Sequence, residues 1–149
     1  MRQTALIAIP ALCAGLLAAG CDRLPRDAAG TSERIEQTGM VRVAVLPATP
    51  DAAPALALLR RYAARHGASL SPVSLHGEHA LHALEEGRVD VVVGHLAKDS
   101  PWKTDVALSR AIAGDEPRDG RRPVLRLARR NGENALILAT DRAIAAVHK

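Results

Sequence analysis

The sequence predicts an α/β domain built on a mostly parallel sheet. Two observations carry this: short β-branched apolar runs alternate with segments of helical spacing, and Pro or Gly marks most junctions between them. In chain order, residues 22–32 mix Asp, Arg, Pro, Gly, Ser and Thr with little apolar content, the composition of a tether. Residues 33–38 make a short helical lead-in. The run Val41-Arg42-Val43-Ala44-Val45-Leu46, begun at Met40, is a strand ended by Pro47. Over residues 54–66, Leu56, Leu59 and Ala63 fall at helical spacing with Arg60, Arg61 and Arg65 opposite; Pro54 opens this helix and Gly67 closes it. Residues 69–75 alternate as a second strand. Residues 78–86 form a short helix with Ala80, Leu81 and Leu84 inward, stopped by Gly87. Residues 89–93 are a buried strand, with Gly94 as the turn after it. Residues 106–112 are extended, 113–122 form a polar loop containing Gly and Pro, and 124–128 make the last strand. A closing helix over 133–147 takes its apolar positions from Ala135, Leu136, Leu138, Ile144 and Val147. Helices of this length between strands imply parallel crossovers.

The N-terminus carries an address. Arg2 is the only charge before residues 4–20, an uncharged apolar stretch that closes on small residues, as an export signal does. The stretch holds Pro10 and is shorter than the roughly 20 residues that span a bilayer as a helix. It ends Leu17-Ala18-Ala19-Gly20-Cys21, which resembles the bacterial lipobox, with Ala18 where Leu is commoner. That resemblance implies removal of residues 1–20 and lipidation of Cys21, leaving residues 21–32 as a tether and 33–149 as the folded unit. Cys13 falls in the discarded segment, so the mature chain keeps one cysteine and forms no intramolecular disulfide. Asp22 resembles the inner-membrane retention signal of Gram-negative lipoproteins. The expected location is the periplasmic side of the envelope, held to the membrane by lipid.

Composition narrows the partners. A formal charge of +4 is mild, and the arginines are interspersed with acids. Phe is absent and the aromatics are Tyr62 and Trp102, so no basic groove with stacking platforms is available for nucleic acid. Aromatic walls for an organic solute are also scarce.

The order of several motifs resembles a known family. Arg34-Ile35-Glu36-Gln37-Thr38-Gly39-Met40-Val41-Arg42-Val43 is similar to the opening of bacterial solute-binding proteins of family 3, the receptors of amino-acid-type ABC transporters. Leu84-Glu85-Glu86-Gly87-Arg88-Val89-Asp90 resembles that family's Leu-x-x-Gly-x-x-Asp signature. Val106-Ala107-Leu108-Ser109 resembles the strand leading into the second lobe, and residues 127–136 the return to the first. The resemblance implies the first lobe of a type II periplasmic binding protein: three layers, a small polar solute as ligand and an inner-membrane transporter as partner. Between the last two segments the family has a second lobe. A lobe of about 100 residues cannot be built from the 113–122 loop, because burial requires far more surface. A single lobe without hinge closure is therefore expected. The family's carboxylate-gripping Arg is missing too: residues 96–103 offer Lys98 and Lys103, which carry charge but no planar fork.

Ligands of open α/β sheets gather at the carboxyl ends of the strands. Here those ends bring Pro47 and Thr49, then His76, then His95, Lys98, Ser100, Trp102 and Lys103. Trp102 is able to stack on a solute or to plug the sheet end, and the lysines with Ser100 are able to hold an anion. His79 and His82, with Glu86 one turn beyond, present two imidazoles and a carboxylate for Zn²⁺ or a similar ion. Catalysis lacks a basis: no Gly-x-Ser-x-Gly occurs, Ser100 and Ser109 have no motif partners, and no cofactor is implied. The sequence thus points to a non-catalytic, lipid-anchored solute-binding lobe. Its rivals are an envelope metal-binding protein and a docking remnant without ligand.

Overall fold

The computed structural model describes residues 27–148. Its elements run α1 (Thr31–Thr38), β1 (Met40–Val45), α2 (Ala53–Arg65), β2 (Ser69–Pro72), α3 (Glu78–Glu85), β3 (Val91–Leu96), a 3₁₀ turn (Pro101–Thr104), β4 (Val106–Leu108), β5 (Val124–Arg130) and α4 (Asn134–Val147). They form a mixed, mostly parallel five-stranded sheet in the order β2-β1-β3-β5-β4, with helices on both faces. Strands β2, β1 and β3 are parallel, joined by the crossovers through α2 and α3.

The last strand departs from that pattern. β5 inserts between β3 and β4 and runs antiparallel to both. The reason is the connection: residues 109–123 hold no helix to carry the chain back across the sheet, so it returns as a hairpin would. Strand limits shift for similarly local reasons. β2 stops at Pro72, although Val73 adds one more rung by donating its N–H to Val43 O (2.8 Å). β3 continues past Gly94 to Leu96 because β5 pairs with it as far as Val124. The expected extended run 106–112 is interrupted: the N–H groups of Ser109 and Ile112 bond to the carbonyls of Leu127 and Leu125, and Arg110 and Ala111 bulge between them.

Two apolar clusters separate along the strand alternation. Val41, Val43, Val93 and Leu127 point to α1, α2 and α4, meeting Ile35, Leu58, Leu59, Tyr62, Leu136 and Ile144. Ala44, Val92, Leu96 and Ala128 point the other way, onto Ala80, Leu81 and Leu84 of α3, with Trp102 packed at the margin.

Polar clamps tie these layers together at the amino edge of the sheet. Asp90 is buried: its Oδ2 accepts the backbone N–H of Arg42 (2.7 Å) and lies 2.6 Å from Arg34 Nη2, while its Oδ1 accepts Arg42 Nη2 (2.8 Å). Arg42 Nη2 also donates to Gly87 O (2.7 Å), and Gly87 turns with φ of 72°, in the left-handed region that favours glycine. The Gly87-x-x-Asp90 signature is thus a staple between β1, α1 and the turn before β3.

The stretch expected to be a tether is partly fastened. Glu133, buried ahead of α4, accepts N–H groups from Ala29 (2.8 Å) and Thr31 (2.9 Å) at the start of α1. Asp27 reciprocates: it accepts from Ser32 (2.8 Å) in α1 and from Ala135 (2.8 Å) in α4. Each carboxylate satisfies helix-end N–H groups that would otherwise lack partners. Asp27→Ala is expected to lower unfolding free energy by about 1–2 kcal/mol, the cost of losing a cap. Urea denaturation of the two proteins measures it.

Candidate functional site

The carboxyl edge of the parallel strands is shaped by how closely β1 leaves β3. Leu46 donates its N–H to Val93 O (2.8 Å), and its side chain lies where a Cβ on Gly94 would be, 2.6–2.9 Å away. A side chain at Gly94 would push the exit loop off the sheet. That loop is tightly wound: Ala48 has φ of 59°, and Thr49 is buried with its hydroxyl unpartnered among the described residues. The loop carries Asp51 to His95, whose Nε2 sits 2.8 Å from Asp51 Oδ1. This hydrogen bond, with the imidazole charge adding to it, holds the Asp51 carboxyl below its ordinary range.

The sequence-predicted residues divide among three places. Pro47 and His76 meet along a largely apolar recess of about 380 Å³, lined also by Val45, Pro72, Val73 and Leu75. Lys98 and Lys103 meet at a second, shallow recess with Asp99, Arg118 and Asp119, where Lys103 is paired to Asp99 at 2.5 Å. Trp102 belongs to neither. Ser100 accepts the Trp102 N–H (3.3 Å) and starts the 3₁₀ turn, which leads the chain back across the α3 face. There Trp102 packs beside the second apolar cluster, with its ring edge-on to His82 at 4.8 Å between centroids. Trp102 is a plug over the sheet face.

The metal trio does not assemble. His82 Nδ1 lies 3.2 Å from Glu85, and Glu86 is engaged by Arg88 at 2.6 Å. Among the described residues no three His, Cys, Asp or Glu side chains converge on a point.

The most polar arrangement at this edge escaped the sequence reading. Arg126, on β5 opposite Gly94, is 1% exposed. Its Nε donates to Leu96 O (3.0 Å) and its Nη1 to Ser109 O (2.7 Å). The outward fork, Nη1 and Nη2, grips both oxygens of Glu116, which reaches in from the 109–123 loop. The Ala111 N–H gives Glu116 a third donor (2.8 Å). Lys98, Leu108, Ser109 and Arg110 complete a recess of about 280 Å³ around the pair. Arg126, foremost, holds the Glu116 carboxyl below its ordinary value, with Ala111 and the Lys98 charge assisting. One sequence signal was present: an Arg within an apolar strand must find an acceptor if that strand is central. It went unused because the strand's central position depends on its antiparallel insertion.

The sequence matches no family model and no curated protein. Solved structures are similar in fold. The arginine-bound form of domain 1 from TmArgBP aligns with a TM-score of 0.64 at 18% identity, covering 76% of this chain and 97% of that domain. An ancestral cationic amino acid solute-binding protein, AncCDT-1, gives 0.64 at 11% identity over 79% of this chain and 93% of its own. EhuB in complex with hydroxyectoine gives 0.50 at 16% identity, covering 82% and 88%. The fold is that of a single solute-binding-protein lobe.

A pH dependence follows from Glu116. Because its folded pKa lies below the ordinary 4.5, its ion pair with Arg126 contributes stability above that value. The contribution is lost as pH falls through the depressed folded value. Denaturant midpoints from pH 6 down to 3 should fall less steeply in Glu116→Gln than in the parent chain.

Proposed function

We propose that this chain is a lipid-anchored, single-lobe solute-binding protein on the periplasmic side of the envelope, without catalysis. It receives a small polar solute at the carboxyl edge of its sheet and works beside an inner-membrane transporter of the ABC type. The observation that carries the reading is the near-complete coverage of an isolated, arginine-bound receptor domain by a chain of the same fold. The edge at which such sheets bind ligands here holds recesses lined by Pro47 and His76 and by Lys98 and Arg126.

The anchor fits this arrangement. Cys21 lies outside the described residues, while Asp27 is clamped at the amino edge of the sheet, next to the end of β5. From Cys21 to Asp27 the chain reaches at most ~22 Å, at about 3.3–3.6 Å per residue. A lipid on Cys21 would hold the amino edge near the membrane and turn the carboxyl edge outward.

Two outcomes are expected. In a Gram-negative host fed labelled palmitate, the parent chain takes up label and sediments with membranes, while Cys21→Ser does neither. Label retained in Cys21→Ser refutes the anchor. A thermal-shift screen of amino acids, polyamines and organic acids should give a saturable rise for at least one class. A folded protein whose melting stays flat with all of them, at millimolar concentration, refutes solute binding and leaves a docking remnant.

A further inference from the structure

We propose that the recess beneath the 109–123 loop is a carboxylate-binding site, which the chain fills with its own Glu116 until a small organic acid displaces it. This deepens the solute-binding reading, on which its role in transport rests, by giving one recess a ligand chemistry and an internal competitor.

The arrangement divides into a fixed receptor and a removable occupant. The receptor is Arg126. Its guanidinium is oriented by the carbonyls of Leu96 and Ser109, on β3 and beside β5, and neither bond involves Glu116. Ser109 is itself held, accepting the Leu127 N–H (3.0 Å) on its Oγ. The fork that faces outward and the Ala111 N–H therefore converge on one carboxylate without needing that carboxylate to position them. Planar two-point donation of this kind selects carboxylates over spherical anions.

The occupant is different in character. The Glu116 side chain is 37% exposed and belongs to a loop without regular structure, with Gly114 and Pro117 on either side. Its carboxylate enters from the solvent side. Lys98 and Arg110 line the same recess, so displacement leaves a positively charged cavity able to take a second polar group of an acid. The space, about 280 Å³, exceeds a water's share of roughly 30 Å³ several times over. Without any anion the buried Arg126 charge would be unpaired, a strongly unfavourable state. The site is thus always occupied, by self or by ligand.

An intramolecular competitor of this kind acts at an effective concentration in the millimolar range. Removing it should tighten carboxylate binding by about 10-fold or more.

The test uses the mature chain as parent, Glu116→Ala and Glu116→Gln. Each is titrated with sodium acetate against sodium chloride at equal ionic strength, and melting is followed. Glu116→Ala should melt lower than the parent in chloride and recover saturably in acetate. The parent should respond only at concentrations about 10-fold higher. Glu116→Gln, whose amide still fills the recess, should respond less than Glu116→Ala. If Glu116→Ala does not fold in chloride, refolding yield in acetate against chloride gives the same reading. Equal effects of acetate and chloride on Glu116→Ala, or equal acetate effects on the Ala and Gln variants, would overturn the proposal. Acetate rescue of Glu116→Ala, with a parent chain that answers acetate at the higher concentrations but none of the screened solutes, would leave this site standing and remove the transport reading. Solute binding by the parent with no acetate rescue would do the reverse.

Discussion

Asp90 sets the frame on which the rest of the molecule depends. A carboxylate buried at the amino edge of a parallel sheet is costly unless donors surround it, and here they come from separate elements. Arg34 brings α1, the Arg42 backbone and guanidinium bring β1, and Gly87 O answers the same guanidinium from the turn after α3. These contacts act together to fix where β1 begins relative to β3. The register they set, Val43 against Val91 through Val45 against Val93, is carried to the opposite edge. There it places Leu46 over Gly94 and lets the following loop deliver Asp51 to His95. A one-residue slip would turn every side chain of β1 to the wrong face.

Strand β5 shows how the sheet handles charge in its interior. Two arginines lie buried in it, on opposite faces, and each is compensated differently. Arg129 donates to Ala107 O (3.2 Å), Thr140 (2.9 Å) and Asp141 (2.5 Å), the last two on α4. Burial pulls its pKa below the usual value for arginine, while Asp141 pulls it back. Its acid comes from a helix that packs against the core, so the pair moves only if the helix moves. Arg126 takes its acid from a loop instead. The same physical requirement, a partner for a buried guanidinium, yields a fixed strut on one face and a displaceable contact on the other.

What the sequence disclosed follows from how local each feature is. The helices over 54–66 and 133–147 were legible because apolar spacing and terminal Pro or Gly are local signals; the structure shifts the first by one residue at each end and starts the second one residue later. The Gly87-x-x-Asp90 segment stood out as a motif, while its role as a staple required Arg34 and Arg42 to be brought beside it. The antiparallel insertion of β5 was hidden, since 124–128 reads as a strand whichever neighbours it takes. Everything that depends on that insertion was hidden with it: Gly94 opposite Arg126, the bulge at Arg110 and Ala111, and Glu116 on the guanidinium. Trp102 and His82 show the complementary case. Sequence position left Trp102 open between stacking on a solute and plugging the sheet end, and offered His82 as a metal ligand; the chain doubles back after Ser100 and packs one ring against the other.

The 109–123 connection joins the neighbouring strands β4 and β5 and folds back onto the sheet edge. An apolar plug there would leave the Arg126 charge without a counterion. A permanently open edge would leave it to water and whatever anion is at hand. A loop that carries one carboxylate avoids both states, because Glu116 neutralises the guanidinium while its own exposure keeps the contact reversible. The shortness of the connection and the chemistry of its contact are therefore linked: the buried arginine needs an anion, and the loop is long enough to lend one without sealing the edge.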